Sequence, residues 1–313
     1  MELKDKRVLV TGATGFIGSF LTERLVKQGC KVKILSFDDP HYLKKVMGKI
    51  EVIKGDICKP LKIYTGDIDI VFHLAAIAEI KRSLADAKQT YRVNVSGTYN
   101  LLESLKSHRI NKFIYVSTAS VYGIPRQLPI SETHPIEPPK MNIYAASKYA
   151  SENLIAAFCI SRNIDYSIVR LFNIYGPRQK GDFIVPVILN QVLRHNRIKL
   201  NNINTKRDFL YIADVIEGII AVTRKGERGV YNIGSGKELS IGSLVKEIEG
   251  IINKRVIIKT ANVNLGSIPR SCADISKIKK ELKWAPKVSL HEGLKKTVDY
   301  WEGVIEKQAS FPS

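Results

Sequence analysis

The chain has 313 residues, 44% of them hydrophobic, with four cysteines and a formal net charge of +19 at neutral pH. That suffices for one large domain or two closely joined ones. No run approaches the roughly 18 apolar residues of a membrane span, and Cys30, Cys58, Cys159 and Cys272 lie too far apart for a disulfide framework or a metal site.

The basic excess is scattered, as in Lys44, Lys45, Lys279, Lys280, Lys295 and Lys296, without interleaved aromatic residues. A solvated surface that draws in a phosphorylated small molecule is therefore expected, and nucleic acid is not. The first residues run directly into a strand pattern with no apolar leader, so the expected location is cytoplasmic.

Residues 6–10 read as a short apolar strand. Thr11-Gly12-Ala13-Thr14-Gly15-Phe16-Ile17-Gly18 follows, then an amphipathic run through Phe20, Leu21, Leu25 and Val26 to Gly29. Gly12 and Gly15 allow a tight turn close to a pyrophosphate, Gly18 allows close helix packing, and the helix N-terminus favours an anion. This pattern reads as a dinucleotide site, with a plain strand–helix turn as the alternative. A second strand, 31–35, ends where an acid would hold the adenosine ribose. Ser36 stands there, Asp38 and Asp39 follow, and no Arg or Lys comes directly after the strand, which favours NAD over NADP.

A third strand, 51–54, leads to Asp56 and Ile57, which either hold adenine or simply close a loop. A fourth, 70–72, leaves through His73-Leu74-Ala75-Ala76, whose small residues admit a ribose and phosphate against backbone; His73 itself reads as a packed core histidine. A helical pattern over 86–107 contains Asn94, whose amide either joins a proton path or satisfies buried backbone. The fifth strand, 113–116, exits through Ser117-Thr118-Ala119-Ser120-Val121-Tyr122-Gly123, at the end where open α/β sheets place ligands. A loop stiffened by Pro125, Pro129, Pro135, Pro138 and Pro139 then delivers Tyr144 and Lys148 on one helix face. An ammonium near a phenol favours the phenolate, lowering a pKa that is ordinarily ~10.

Read together, these motifs resemble the extended short-chain dehydrogenase/reductase family, in particular its nucleotide-sugar epimerases and dehydratases. The stretches that carry the resemblance are GATGFIG at 12–18, GD at 55–56, HLAA at 73–76, Asn94 before SGT, STASVYG at 117–123 and YAASK at 144–148. RLFNIYGPRQ at 170–179, KRDFLYIADV at 206–215, YNIGSG at 231–236 and ADISKIKKELKWAPKVSLHEGL at 273–294 extend it almost to the end. The resemblance implies that Tyr144 is the base, that Lys148 lowers its pKa and holds the nicotinamide ribose, and that Thr118 shares the proton at the sugar C4 oxygen. It implies NAD contacts from Gly12, Thr14, Gly15, Phe16, Ile17 and Gly18, from Asp38, Asp56 and Ile57, and from Leu74, Ala75, Ala76, Asn94 and Leu171.

On the substrate side it implies Arg207 on phosphate, Asn173 on sugar or diphosphate, and Phe183, Pro186 and Leu200 around the base and ribose. A second phosphate-binding Arg falls where Asn264 stands; Arg270 is either its substitute or a surface ion pair, and Ser271 leaves room for an N-acetyl group. The family's 4,6-dehydratases carry an acid and a base directly after the Ser/Thr, typically Asp-Glu. Ala119 and Ser120 stand here, as in 4-epimerases.

The implied fold is α/β, a doubly wound parallel sheet (Rossmann) with a smaller C-terminal α/β substrate lobe. Residues 1–173 with 208–224 would bind the cofactor, and 174–207 with 225–313 the nucleotide sugar. The implied activity is NAD-dependent C4 epimerisation of a UDP-hexose, with an NADPH-dependent 4-ketoreductase as the alternative. A homodimer through helices 86–107 and 144–161 is implied by the same kinship, and no metal is expected from the cysteine spacing.

Overall fold

The computed structural model describes residues 1–61, 63, 66–137, 142–195, 197–260 and 268–310. Chain order begins with β1 (Arg7–Thr11), α1 (Phe16–Lys27), β2 (Lys31–Ser36), β3 (Ile50–Lys54) and β4 (Ile70–His73). Short helices α2 (Ile80–Ala85) and α3 (Ala87–Tyr91) run through a π-helical segment, Arg92–Ser96, into α4 (Gly97–Ser104). Then come β5 (Lys112–Thr118), α5 (Ile143–Ser161), β6 (Asp165–Leu171), β7 (Asn173–Tyr175), α6 (Ile184–His195), β8 (Arg197–Leu200) and β9 (Lys206–Tyr211). The last part holds α7 (Ile212–Lys225), β10 (Gly229–Ile233), β11 (Glu238–Ser240), α8 (Ile241–Ile252), β12 (Ile257–Thr260), β13 (Arg270–Ser271), α9 (Ser276–Leu282) and α10 (Leu290–Ser310).

Seven parallel strands form the main sheet in the order β10-β6-β5-β4-β1-β2-β3. Alternation along the strands explains why it is covered on both sides. Val8, Val10, Ile114 and Val116 pack into one core with Leu21 and Leu25 of α1 and Val215 and Ile219 of α7. Their neighbours Leu9, Phe113 and Tyr115 face the other way, against Leu101 and Leu102 of α4 and Ile155 of α5. Burying each such side chain contributes about 1.5–3 kcal/mol, so a slip of one residue in register would exchange the two cores.

The expected doubly wound sheet is therefore present, with two differences in detail, and so is a smaller α/β part. β10 joins the sheet beside β6, in register Tyr231 with Val169, so the chain returns to it as far as 233 and not only to 224. The expected helix over 86–107 runs over 87–104 and contains a π-helical segment. Asp86 ends α2 and caps α3, accepting from the Gln89 N–H at 2.8 Å, and the π-helical segment follows. A smaller sheet, with β9 flanked by β11 and β13 and also pairing β7, stands at the carboxyl side, and β8 pairs with β12 separately. No helix among the described residues is long and apolar enough to cross a membrane.

Candidate active site

The strand order reverses between β1 and β4, and the crevice this opens is where doubly wound sheets take ligands. Gly12 sits there at φ +71°, and a Cβ on it would lie 2.6 Å from the Ala75 backbone nitrogen. A Cβ on Gly18 would lie 2.0 Å from the Gly12 carbonyl oxygen. The turn, the exit of β4 and the start of α1 are therefore packed backbone to backbone. Helix α1 begins at Gly15 with no side-chain cap and no acid in its first turn, which leaves N–H groups and the positive helix end for an anion. This cradle fits a dinucleotide pyrophosphate.

Around it, Thr14, Phe16 and Ile17 are half-buried, as are Leu74, Ala75 and Ala76. At the end of β2 the Ser36 hydroxyl accepts from the Asp38 N–H at 3.1 Å, a tight turn that leaves Asp38 exposed. Asp56 accepts from the Cys58 N–H at 2.8 Å, so it does close its loop. Ile57 is buried, its carbonyl bonded by Asn100. Asn94 differs from the expectation of a cofactor contact. Both N–H bonds of its amide are spent, on the Ile77 carbonyl at 3.1 Å and the Ser147 hydroxyl at 2.8 Å, while its oxygen accepts from the Ile77 N–H. It braces the 74–79 loop and leaves Lys148 alone. Leu171 is buried across the sheet from Thr118.

His73 is packed, as its setting in β4 suggested. The Thr98 hydroxyl donates to the Asn94 carbonyl at 2.6 Å, so it accepts from His73 Nε2–H at 2.8 Å, and Nδ1 accepts from the Thr11 hydroxyl at 2.6 Å. Burial, with Lys148 nearby, pushes this imidazole down to about 3 and keeps it neutral.

Helix α5 lies along the end of β5, and its side chains meet successive strand residues. Asn142 caps it through the Ala145 N–H at 2.8 Å. The half-buried Tyr144 lies beside the Thr118 hydroxyl, and Lys148 donates to the Val116 carbonyl at 2.6 Å with its ammonium 4.1 Å over the Tyr115 ring. Glu152 accepts from the Ser117 hydroxyl at 2.5 Å. The expected pull of Lys148 is not what sets the phenol here. Desolvation pushes Tyr144 up to about 12, with Thr118 drawing it down and Glu79 pushing it further up. Desolvation also brings Lys148 down to about 7, opposed by Glu152. Thr118 closes the short turn after β5 as well, accepting from the Ser120 N–H at 3.1 Å and donating to its hydroxyl at 3.2 Å. Glu79, buried and 3.4 Å from Lys180, faces this group from the 74–79 loop.

On the small sheet, Arg207 pairs in register with Ser271, and Asn173 with Phe209 two residues on. Asn173, Arg207 and Ser271 are thereby brought together. Desolvation pulls the Arg207 guanidinium down to about 10, and it donates to the Lys206 carbonyl at 2.8 Å. Among the described residues no carboxylate pairs with it, so an anion would find it receptive. Buried Asp208 anchors the arrangement, accepting from the N–H groups of Ser235, Gly236 and Ala273.

Arg270 forms the surface ion pair that was its alternative reading: its Nε and terminal nitrogen reach Glu238 at 3.0 and 2.5 Å. Phe183 opens α6 and Pro186 lies in its first turn, while Leu200 is buried in the main core. Asn264, Pro138 and Pro139 lie outside the described residues.

Sequence reasoning missed Ser117, Glu152, Arg170, Glu79 and Asp208. The signal for Glu152 was its spacing, four residues beyond Lys148 and eight beyond Tyr144. For Arg170 it was a cation set in the apolar strand Ile168-Val169-Arg170-Leu171.

A family model described as GDP-mannose 4,6 dehydratase matches residues 9–297. A dTDP-D-glucose 4,6-dehydratase of Homo sapiens is 34% identical over 340 residues, covering 98% of this chain and 95% of that protein. The UDP-glucose 4-epimerase of Thermotoga maritima, solved with UDP-glucose, superimposes with a TM-score of 0.86 at 28% identity, covering 96% of this chain and 99% of that one. The UDP-glucuronic acid 4-epimerase of Bacillus cereus, solved with UDP-glucuronic acid and NAD, gives 0.86 at 30% identity, covering 95% and 99%. With the glycine turn, the Thr118–Tyr144–Lys148 group and the sheet order in place, the chain belongs to the extended short-chain dehydrogenase/reductase family, in its nucleotide-sugar epimerase and dehydratase group.

Proposed function

We propose that the protein is an NAD-dependent 4-epimerase of a UDP-hexose. The observation that carries this reading over dehydration is the turn after Thr118. Ala119 has no proton to give or take, and the Ser120 hydroxyl is engaged with Thr118, so the turn offers no acid–base pair to expel water across C5 and C6. Bound NAD supplies the hydride acceptor and donor. Tyr144 takes the C4 hydroxyl proton with Thr118 sharing it, and Lys148 holds the nicotinamide ribose and adds positive charge near the phenol. Removal of both hydrogens leaves a 4-keto sugar, which turns over in the pocket; Tyr144 returns the proton as hydride arrives on the opposite face.

Asp38 at the end of β2 takes the adenosine ribose, favouring NAD. Arg207 takes the diphosphate, with Asn173 and Ser271 toward the sugar and Phe183 and Pro186 toward the nucleoside. The cofactor part comprises residues 1–173 with 208–233, and the substrate lobe 174–207 with 234–313. A second copy of the chain would cover Tyr91, Tyr99 and Ile160, exposed apolar side chains on the helices around 87–104 and 143–161.

The test is to release the dinucleotide that purifies with the protein and then supply UDP-glucose, UDP-N-acetylglucosamine and UDP-glucuronate without added cofactor. The reading expects NAD and conversion of at least one sugar to its C4 epimer. Net release of reduced dinucleotide during turnover, or a 4-keto-6-deoxy product, would contradict it.

A further inference from the structure

Glu152 is 3% exposed and sits one helical turn beyond Lys148. Its carboxylate is held from two strands. The Ser117 hydroxyl and Arg170 Nε both donate to Oε1, at 2.5 and 3.1 Å, and the Arg170 terminal nitrogen donates to Oε2 at 2.6 Å. Ser117 and Arg170 are register partners on β5 and β6. Arg170 is backed by the Tyr122 ring at 4.8 Å, and the Tyr122 hydroxyl donates to Asn232 at 2.8 Å. A buried ion pair of this kind is weak evidence for stability, since apolar residues of similar volume often do as well or better.

Its placement points to another use. Two consecutive strand residues, Val116 and Ser117, are engaged by two helix residues four apart, Lys148 and Glu152, and Thr118, next along the strand, acts on Tyr144, four residues before Lys148. Ser117 thus lies between the strand residue that holds the lysine and the one beside the phenol. We propose that Glu152 is a positioning residue: clamped by Ser117 and Arg170, it is the counter-charge of Lys148 and fixes the register of α5 on β5. This deepens the epimerase reading and rests on it for the roles of Tyr144 and Lys148.

Among the described residues, the groups that act on Lys148 are Glu152 from its own helix, Tyr115 and the Val116 carbonyl from β5, and His73 from β4, with Arg170 paired to Glu152 behind it. His73 is neutral, so Glu152 is the carboxylate among them that opposes the loss of charge that burial imposes on Lys148.

The test follows Lys148 directly, by pH titration of the full protein carrying 13Cε-labelled lysine, with the Lys148 signal assigned by its loss in Lys148→Met. Glu152→Gln should lower the Lys148 midpoint by about one pH unit, roughly tenfold weaker proton binding, and Glu152→Asp should restore most of it. An unchanged midpoint in Glu152→Gln overturns the proposal. Should Glu152→Gln fail to fold, Glu152→Gln/Arg170→Gln removes both charges and the same fall is required of it. In parallel, kcat of Glu152→Gln should decline at lower pH than that of the wild type, with KM little changed. If the wild type converts no nucleotide sugar, the epimerase reading fails, while the titration still decides whether Glu152 is the counter-charge.

Discussion

At Tyr144 burial and hydrogen bonding oppose each other, and burial wins, leaving the phenol at about 12. A base working near neutral pH then depends on positive charge brought close to it, which is the part assigned to Lys148. Tyr144→Phe keeps the ring and removes only the hydroxyl. It is expected to lower kcat by about 10²- to 10⁴-fold while stability in a urea titration changes by less than about 1 kcal/mol; retained turnover would remove Tyr144 from the chemistry.

His73 gives a second prediction at the same scale. In the unfolded chain it titrates near ~6.5, whereas in the fold it stays neutral down to about 3. Between these values the unfolded state binds the extra proton, so the contribution is fully present above about pH 6.5 and is lost as pH falls, by up to about 1.4 kcal/mol per unit. Urea titrations at pH 7, 5.5 and 4 should show a shallower acid loss for His73→Gln than for the wild type, from a lower starting stability. Parallel losses would mean that other groups carry the acid sensitivity.

Among the elements, the strand–turn–helix at the N-terminus was legible because glycine spacing encodes close backbone contact directly. Gly18→Ala should therefore destabilise the fold and abolish co-purification of the dinucleotide, since its Cβ would meet the Gly12 carbonyl at 2.0 Å. Normal dinucleotide content in that variant would contradict the packing described. The helix over 86–107 was less legible. Apolar periodicity carried across it, but the Asp86 cap and the Asn94 carbonyl, which accepts from the Thr98 and Ser151 hydroxyls at 2.6 and 2.7 Å, depend on partners in space.

The same reason hid Asp208, Glu152 and Arg170, whose partners lie 18 to 65 residues away. Asp208→Ala would leave the N–H groups of Ser235, Gly236 and Ala273 without their acceptor, costing at least about 2 kcal/mol. It should also raise KM for the nucleotide sugar by loosening Arg207 and Ser271. A variant with wild-type stability and KM would show that Asp208 does not organise this sheet.

Across the whole molecule, the parallel sheet was readable because β1, β4, β5 and β6 are short apolar runs and β1, β4 and β5 lead into helix patterns, whereas the return of 229–233 to it was not. Gly229-Val230-Tyr231-Asn232-Ile233 could pair in either sheet on pattern alone, and its place beside β6 is fixed by tertiary packing. The charge of +19 has a consequence at this scale. An anionic substrate drawn in by that field should show kcat/KM falling as ionic strength rises from about 10 to about 200 mM, as screening shortens the reach of the charges. Tyr91→Glu/Tyr99→Glu should convert a dimer to a monomer in sedimentation, if a second copy covers those rings.

The central claim is that hydride leaves C4 and comes back to it with nothing eliminated on the way. The most direct measurement is NMR of the product formed from a UDP-hexose deuterated at C4, with unlabelled solvent and no added cofactor. An epimerase of this kind gives a C4 epimer that keeps deuterium at C4 and takes no solvent hydrogen onto carbon. Deuterium lost to solvent, or solvent hydrogen appearing at C5 in a 6-deoxy product, would contradict it.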